Sequence, residues 1–579
     1  MVSSVPFDVL EAPEVEIQEI FNQHVQSQLA EEFSTVLSHH FREIFEKDEH
    51  LDLIPYLDST YFSDTKTPSS LKLVQFCGMV QDTSASPELY LSRLKDGKFG
   101  GWGSHETMDG HVDYSDLREC TRFWVVSVPG QSQWARNDDK AQKSRPNAYK
   151  FPLPSTPHIG IHASIYSNQA DSELKSTDVA RFIGLYESER ETLHVLFHLR
   201  EDIVQKPYQI YPLSLVDTKP ESSDKKEDLD DIKILRNELI SWIADESLAG
   251  DKDAAEWVLL SIISRVQSRS PPIMPTSLTI SCFPPPTTRA DSSSTSSTAS
   301  EGPFTSSEHT PTLYHVLSFI FPIITHIPLS LPLLNDGVFV PESKPRPLSD
   351  DTDEDPEDEL YSGILQLAPS TLCVITDSGI TEGRINDRGV RNLRALQEVI
   401  RNQTLEYVFP YSGFRFETDT GCIVCTEGKK SALVETHVVV PLKPSSSSLP
   451  SELPQRLYKP STEINLPPAE KLTAWRKLIG GAMAKQTKAA PSSSTPSPVG
   501  GIGVSDAAAE FIQEEFVKER QEGAKEREQT ETGVITPDDL IHRMLMAKLL
   551  ALSMHQLELS LEVWCQMKDL ERRRLSRVT

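Results

Sequence analysis

The fold class is decided by the stretch Ser362-Gly363-Ile364-Leu365-Gln366-Leu367-Ala368, which leads after a short spacer into Leu372-Cys373-Val374-Ile375-Thr376-Asp377. The apolar run Leu372–Ile375 is short and bounded by polar residues, which is typical of a buried strand. A helical pattern follows at Asn392–Arg401, and Gly421-Cys422-Ile423-Val424-Cys425 has the character of a second buried strand. Strands and helices alternating in this way predict an α/β domain.

The N-terminal part is β-rich and is preceded by helical sequence. Residues 15–47 repeat apolar side chains at a spacing of three or four, which predicts helix. Residues 70–130 and 158–200 carry short apolar runs separated by glycine and proline. This punctuation favours a small barrel or sandwich, and we expect an OB-like strand region. The individual strands are predicted at His158–Tyr166, Val179–Tyr186 and Thr192–His198.

Composition divides the chain into folded segments, linkers and insertions. A Ser/Thr tract at Ser292–Thr298 and an acidic run at Asp350–Glu359 are typical of disordered loops. We predict a helical N-terminal region at 1–69, an OB-like domain at 70–218, a charged linker at 219–231, an α/β domain at 232–443 with disordered loops at 286–308 and 344–359, a Ser/Pro-rich linker at 444–503, and a helical lid-like domain at 504–579.

Charge and cysteine content restrict the classes of function. The 579-residue chain has a formal net charge of −28, and a surface this acidic repels a phosphate backbone. Its seven cysteines are sparse and odd in number, which suits a reducing compartment. No signal-peptide pattern is present at the N-terminus. The apolar run Leu313–Leu334 contains three prolines, which argues against a membrane span and for a buried helix near Tyr314–Phe321 followed by extended chain.

The segment Gly250-Asp251-Lys252-Asp253-Ala254-Ala255-Glu256-Trp257-Val258-Leu259-Leu260 resembles the phosphate loop of the mini-chromosome maintenance (MCM) replicative helicases, which reads close to G-D-P-G-T-A-K-S-Q-L-L. A working loop needs glycine freedom, a lysine for the phosphates and a hydroxyl for Mg²⁺. Glu256 stands at the lysine position and Trp257 at the hydroxyl position. A carboxylate about 4 Å from a phosphate charge would be repelled by roughly 4 kcal/mol at an effective dielectric near 20. An ordinary helix start is the alternative interpretation.

The stretch 362–377 resembles the helicase pattern A-G-A-L-V-L-A followed by V-C-C-I-D-E. In the helicases the acidic end of this strand holds Mg²⁺ and polarises water. Thr376 takes the metal-binding position here, and Asp377 takes the position of the catalytic glutamate. The similarity continues through Gln403–Glu406 (Q-Q-T-I-S) into a hairpin-like stretch, but Thr426-Glu427-Gly428 lacks the asparagine that senses the γ-phosphate.

A third segment resembles the helicase lid. Val504–Ala507 is similar to L-S-E-E-A, and Ile535–Leu540 to I-T-x-R-Q-L-E, with Asp538 at the position of the sensor arginine. Ser505 and Thr536 stand where N-caps would, and no S-R-F-D motif occurs between 430 and 500. The resemblance therefore implies a degenerate AAA-type (MCM-like) domain with a helical C-terminal lid. It implies no enzyme activity, no catalytic residue, no cofactor and no metal.

Five segments spread over the length of the chain carry a further resemblance, namely Phe76–Asp82, Phe123–Trp134, Gly250–Arg265, Ser362–Glu398 and Ile535–Arg573. They resemble the mini-chromosome maintenance complex-binding protein family. The resemblance implies a nuclear protein that binds MCM helicase subunits as its partners. It further implies roles in releasing the helicase from chromatin, in chaperoning free subunits during DNA replication, and in sister-chromatid cohesion.

Two other functions are weighed against this one. An active AAA-type ATPase or helicase is opposed by the residues at its chemical positions, namely Glu256, Trp257, Thr376 and Asp538. A single-strand nucleic-acid-binding module would use Trp102, Trp124 and Trp134 as stacking surfaces. We favour core packing for these tryptophans, because the chain is acidic and its lysines and arginines are not clustered, so direct nucleic-acid binding is disfavoured.

Two patterns of potential metal ligands are interpreted as structural. Cys422 and Cys425 form one CxxC with no second pair nearby, and we expect a buried strand there instead of a zinc site. His39 and His40 lie on a predicted helix with no third ligand in the sequence. The basic cluster Glu571–Arg574 is interpreted as a solvated helix end.

Overall fold

The computed structural model describes residues 7–27, 32–45, 48–57, 71–104, 114–136, 148–153, 156–166, 174–203, 224–286, 310–345, 358–380, 382–445, 452–487, 502–526 and 537–578. The chain divides into two compact units. Unit 1 contains residues 1–202, 338–369 and 406–415. Unit 2 contains residues 203–337, 370–405 and 416–579. The predicted α/β class is confirmed as a mixed α/β architecture, and the predicted domain boundaries stay predictions.

Unit 1 contains a sheet that closes on itself. Strand β1 pairs with β5 along one side and with β3 along the other, so β1-β5-β6-β4-β3 form a ring, and β2 extends it beside β3. The elements are α1 (Phe7–Glu11), α2 (Pro13–Ser27), α3 (Phe33–Ile44), α4 (Asp48–Leu51), β1 (Lys72–Asp82), β2 (Glu88–Leu91), β3 (Leu117–Val126), β4 (Gly160–Ile165), β5 (Val179–Glu187) and β6 (Thr192–Arg200).

The N-terminal helices cover part of this ring with their apolar faces. The predicted helical region 15–47 is two helices, α2 and α3, and the residues between them at 28–31 lie outside the described residues. Leu37 and Phe41 of α3 are buried in the same core cluster as Leu185 of β5. The spacing of four between the two α3 residues puts both on one helix face, which explains why the helix packs there.

Two later segments of the chain join unit 1 and add a second sheet. Its strand order is β12-β11-β14-β15, and β14 and β15 form a hairpin. The strands are β11 (Glu342–Pro345), β12 (Asp358–Tyr361), β14 (Thr404–Phe409) and β15 (Ser412–Glu417).

A buried polar network ties these later segments to the ring. Gln366 Nε2 donates to the carbonyl oxygen of Gln81 at 2.7 Å, and Gln81 Nε2 donates to the carbonyl oxygen of Leu360 at 3.2 Å. The hydroxyls of Ser176 and Tyr407 lie 2.8 Å apart. Because unpaired polar groups are costly to bury, unit 1 is complete only when all three of its segments are present.

Unit 2 is built on a parallel five-stranded sheet with the order β10-β13-β16-β9-β17. Strands β9 and β13 are buried at every position, and the Leu372–Ile375 run of β13 is the predicted buried strand. The strands are β9 (Leu278–Ser281), β10 (Ile324–Pro328), β13 (Thr371–Thr376), β16 (Thr420–Cys425) and β17 (Val438–Pro441), with short pairs β7 (Ser268–Arg269)–β8 (Pro272–Ile273) and β18 (Gly503–Val504)–β19 (Glu558–Leu559).

The helices of unit 2 differ from the predicted organisation at its linkers. One helix begins at Asp224, inside the predicted charged linker 219–231. The described part of the predicted lid-like domain 504–579 forms three helices, the last two separated by residues 554–560. The helices are α5 (Asp224–Ser247), α6 (Lys252–Ile263), α7 (Thr312–Ser318), α8 (Leu331–Asp336), α9 (Asp387–Asn402), α10 (Leu453–Leu457), α11 (Ala469–Thr487), α12 (Asp506–Glu526), α13 (Pro537–Ser553) and α14 (Leu561–Val578).

The segment predicted as a Ser/Pro-rich linker, 444–503, contains α10 and α11 where it is described. Trp475 of α11 is buried, and its indole Nε1 donates to the carbonyl oxygen of Leu235 in α5 at 3.2 Å. The serines and prolines of the flanking sequence obscured this apolar helix face. The predicted loops 286–308 and 344–359 lie almost entirely outside the described residues.

Candidate nucleotide-binding positions

The Gly250 segment connects two helices. Ala249 and Gly250 adopt left-handed backbone angles (φ 52° and 86°) after α5, and the Gly250 amide donates to the carbonyl oxygen of Ala244 at 2.8 Å. Asp251 then caps α6 by accepting from the Ala254 amide at 3.1 Å. A phosphate loop instead joins a strand to a helix. The phosphate-loop interpretation of this segment is therefore wrong, and the alternative of an ordinary helix start is confirmed.

Arginines of α14 neutralise the acidic start of α6. Arg577 Nη1 lies 2.7 Å from Asp251 Oδ2, and its Nη2 lies 2.7 Å from Asp253 Oδ2. Arg573 Nε donates to Asp253 Oδ1 at 2.9 Å. Burial lowers the pKa of Arg577, but its hydrogen bonds to both aspartates and their charges outweigh this, so its pKa is raised. The basic cluster predicted to be a solvated helix end therefore contributes to a fixed ion-pair network.

Glu256 and Trp257 are structural residues of α6. Glu256 Oε1 accepts from Arg236 Nη2 at 2.7 Å, and Arg236 Nε donates to Ser553 Oγ at 2.7 Å. Trp257 is buried, and the Arg574 guanidinium lies 5.8 Å from the centre of its ring. The acidic and aromatic side chains that set this segment apart from a phosphate loop are explained by packing within unit 2.

The connection from β9 to α7 joins a strand to a helix and leaves the carboxyl edge of the parallel sheet, where ligands of such sheets bind. Residues 282–311 contain no lysine, a single glycine and the run Pro284-Pro285-Pro286. Phe283 is buried, its amide donates to the Thr426 carbonyl oxygen at 2.9 Å, and its ring meets that of Tyr458 edge-on at 5.9 Å.

Thr376 and Asp377 lie at the same carboxyl edge, as the pattern predicts. Thr376 ends β13 between β10 and β16, and its hydroxyl lies 3.0 Å from His326 Nε2. Burial, with a smaller effect from His315, lowers the pKa of His326 to about 4, so this imidazole is neutral at pH 7. The Asp377 amide donates to the Cys425 carbonyl oxygen at 3.4 Å. Thr376 and Asp377 thus lie at the strand end that the sequence pattern predicts, beside the end of β16.

The segment compared with a helicase lid forms helices α12 and α13. Ser505 Oγ accepts from the Ala508 amide at 3.3 Å, which confirms it as the N-cap of α12. Pro537 is the first residue of α13, and Asp538 follows it in the first turn. Thr536 lies outside the described residues.

The remaining predicted positions have structural roles where they are described. Trp102 is buried and donates to the Val195 carbonyl oxygen at 3.0 Å, Trp124 is buried beneath Lys150, and Trp134 is half-buried. Cys422 and Cys425 are buried on β16, which confirms the predicted strand.

His39 and His40 lie within 3.6 and 2.9 Å of Glu43 and Glu16 respectively. Among the residues the structure describes, no group of three or more His, Cys, Asp or Glu side chains is arranged to hold a metal ion. Within that same part of the chain, every helix is too short or too polar to span a membrane. The run Leu313–Leu334 forms α7, β10 and the start of α8, in agreement with the predicted helix followed by extended chain.

The closed strand ring and the parallel sheet define a mixed α/β protein whose carboxyl edge carries a buried phenylalanine and a proline run after its β9 strand. The chain belongs to the mini-chromosome maintenance replisome factor family, whose model matches residues 41–148 and 139–578. Among its relatives, the mini-chromosome maintenance complex-binding protein of Arabidopsis thaliana is 22% identical over 627 residues, covering 93% of this chain and 92% of the relative.

A relative of the same name in Gallus gallus is 23% identical over 350 residues, covering 60% of this chain and 46% of the relative. Another, in Drosophila melanogaster, is 24% identical over 266 residues, covering 46% and 37%. The chain thus spans less than half the length of these two relatives.

Proposed function

We propose that this chain binds subunits of the MCM replicative helicase and does so without hydrolysing ATP. The observation that carries the proposal is the family match over nearly the whole chain, together with relatives that are named as binding the MCM complex. The β9–α7 connection supports the non-catalytic part, because it lacks the lysine and the glycines with which a phosphate loop holds a triphosphate.

The proposed mode of binding is mimicry of a helicase subunit. In this proposal the strand ring of unit 1 is an OB-like domain, unit 2 is a degenerate AAA-type domain, and α12–α14 are its lid. A chain of that shape presents a subunit-like face to a neighbouring subunit without completing an ATP site, and so competes with closure of the helicase ring. We propose that it acts in the nucleus, in assembly or unloading of the helicase from chromatin and in support of sister-chromatid cohesion.

The first test is co-purification of the full chain with recombinant MCM subunits, with and without ATP. We expect equal recovery of subunits under both conditions, because the proposed contact does not depend on nucleotide. Recovery only with ATP would favour the ATPase alternative, and direct nucleotide binding by the purified chain would support that alternative independently. Recovery under neither condition would overturn the proposed partner.

Mimicry itself is tested by truncation, since it requires the folded units. We expect fragments spanning only residues 204–223 or residues 488–501, which lie outside the described parts of both units, to bind no subunit. Equal binding by such fragments would overturn the mimicry mechanism while leaving the partner in place. Imaging of a fluorescent fusion tests the nuclear location, and an exclusively cytoplasmic signal through S phase would contradict it.

A further inference from the structure

The hairpin of unit 1 ends the second sheet with an edge strand. In the strand order β12-β11-β14-β15, strand β15 has a neighbour among the described residues only on its β14 side. Five of its six residues are exposed, and the sixth, Phe416, is half-buried. Folded proteins usually protect such an edge with charged side chains, especially lysine, or with proline, a bulge or a covering segment. Strand β15 contains neither lysine nor proline, and its charged side chains are Arg415 and Glu417.

The same hairpin carries large apolar side chains in solvent. Tyr411, in the turn between the strands, is fully exposed, and Phe414 of β15 is 56% exposed. The Phe414 ring meets the Phe409 ring at 5.8 Å in a T-shaped arrangement, and Val408 of β14 is also exposed. Apolar side chains clustered in solvent mark interaction sites more often than isolated ones do.

The two charged side chains of β15 differ in their surroundings. Glu417 pairs with Arg269 at 3.2 Å, whereas the exposed Arg415 side chain makes no ion pair or hydrogen bond with another described residue. Most arginines of the described chain are paired, as Arg181 is with Glu201 and Arg265 with Asp419. An acidic side chain on a strand beside β15 would therefore pair with Arg415 without breaking an existing ion pair.

We propose that strand β15 is a docking site for an extended segment of a partner protein, which adds to the sheet as a further strand. The unpaired backbone groups of β15 would pair with about six residues of that segment, a length of roughly 20 Å. Its apolar side chains would contact Phe409, Tyr411 and Phe414, and an acidic residue would pair with Arg415. This site rests on the proposed function for the identity of the partner, and it specifies where that partner is held.

Two other occupants fit the hairpin less well. A second copy of this chain paired antiparallel in the register centred on Arg415 would bring two Arg415 side chains towards each other. A single-stranded nucleic acid would use the aromatic rings for stacking, but one unpaired arginine on a chain of net charge −28 supplies little electrostatic attraction. An acidic, apolar peptide segment satisfies the backbone, the aromatic side chains and the arginine together.

The test compares the full chain with two variants in binding to recombinant MCM subunits. The first is the double variant Tyr411→Ser with Phe414→Lys, which removes the aromatic contacts and puts a gatekeeping charge on the edge. The matched control is Val15→Lys on α2, where an exposed apolar residue (66%) is replaced outside the elements that the proposed function compares with a helicase subunit. We expect the double variant to bind about tenfold more weakly or worse, and the control to bind like the wild type.

Hydrogen exchange provides the readout that is specific for strand addition. On binding, amides of residues 412–417 in the wild-type chain should become protected, because the partner's backbone covers them. Unchanged affinity of the double variant together with unchanged exchange in β15 would overturn this inference and leave the proposed function standing. If neither the wild type nor the control binds any subunit, the proposed function fails and this inference fails with it.

Two further measurements separate the other occupants. Sedimentation that shows a dimer dissociated by the double variant would reassign the edge to a second copy. Salt-dependent binding of a thirty-nucleotide oligo-dT that the double variant abolishes would reassign it to nucleic acid. Either result would overturn the proposed peptide segment.

Discussion

The Asp251 carboxylate is almost completely buried, so the groups around it must compensate its charge. It caps α6, accepts from the Lys443 amide at 2.8 Å, and pairs with both terminal nitrogens of Arg577. A buried charge that keeps two amide donors but loses its cation is left incompletely compensated. Arg577 is therefore the residue of α14 whose removal has the clearest predicted cost.

We expect Arg577→Ala to lower the free energy of unfolding of unit 2 by about 2–4 kcal/mol, measured by urea denaturation. Arg572→Ala is the matched control on the same helix, because Arg572 is highly exposed and, among the residues that the structure describes, forms an ion pair only with Asp569 of its own helix. The control should change stability by less than about 0.5 kcal/mol. Equal effects of the two substitutions would contradict the structural role assigned to Arg577.

His326 predicts a dependence of stability on pH. Its folded pKa of about 4 lies below the ordinary value of 6.5, so the unfolded chain binds the proton more readily between these values. The neutral imidazole therefore contributes its full stability above pH 6.5 and progressively less as the pH falls towards 4. In His326→Gln, the loss of stability between pH 7 and pH 4.5 should be smaller than in the wild type, as measured by denaturation at each pH. His198 and His437, whose pKa values are also lowered to about 4, should leave a residual dependence in that variant. An unchanged pH profile would exclude His326 as a contributor.

At the scale of elements, the start of α6 resembles a phosphate loop in its sequence but not in its structure. Restoring the helicase residues at its two most divergent positions, in Glu256→Lys with Trp257→Ser, should not create nucleotide binding, because the segment joins two helices. It should lower stability by about 3–5 kcal/mol, since it removes a buried indole and places a lysine beside Arg236. Titration with a fluorescent ATP analogue and thermal unfolding measure the two effects. Nucleotide binding by the double variant would revive the phosphate-loop interpretation.

The elements also show how far sequence reasoning reached. Apolar runs such as Leu372–Ile375 and Gly421–Cys425 are too short for a typical helix and are bounded by polar residues, which favours a buried strand, and the structure confirms both. The sequence left the Gly250 segment open between a phosphate loop and an ordinary helix start, because similarity of residues does not reveal whether a strand or a helix precedes it. The ion pairs of Asp251 and Asp253 with Arg577 join residues far apart in the chain, and no local pattern encodes such a pairing.

Helix α11 was missed for a different reason. Its buried side chain Trp475 lies between stretches rich in serine and proline, so the composition of a wide window hid a short apolar face. Within the candidate site, Thr376 and Asp377 were placed correctly at a strand end. Phe283 is buried at the carboxyl edge, but only its position after a short apolar run indicated this in the sequence.

At the scale of the molecule, unit 1 is assembled from three separate segments of the chain. A fragment of residues 1–203 lacks Gln366 and Tyr407, so Gln81 and Ser176 lose the partners that satisfy them in the buried network. We expect this fragment to show weak near-ultraviolet circular dichroism and to be digested by trypsin much faster than the same region of the full chain. A fragment as resistant as the full chain would contradict the requirement for all three segments.

Because unit 1 is discontinuous, it cannot complete its fold early in translation. Residues 1–202 leave the ribosome first, but the segments that complete their fold end at Arg415. About 200 residues must be added in the interval, which takes roughly 10–40 s at 5–20 residues per second. During that time the nascent strand ring has exposed polar and apolar groups with no native partner. The newborn chain is therefore a natural client for ribosome-associated chaperones, and slowing translation upstream of Arg415 would lengthen its most aggregation-prone stage.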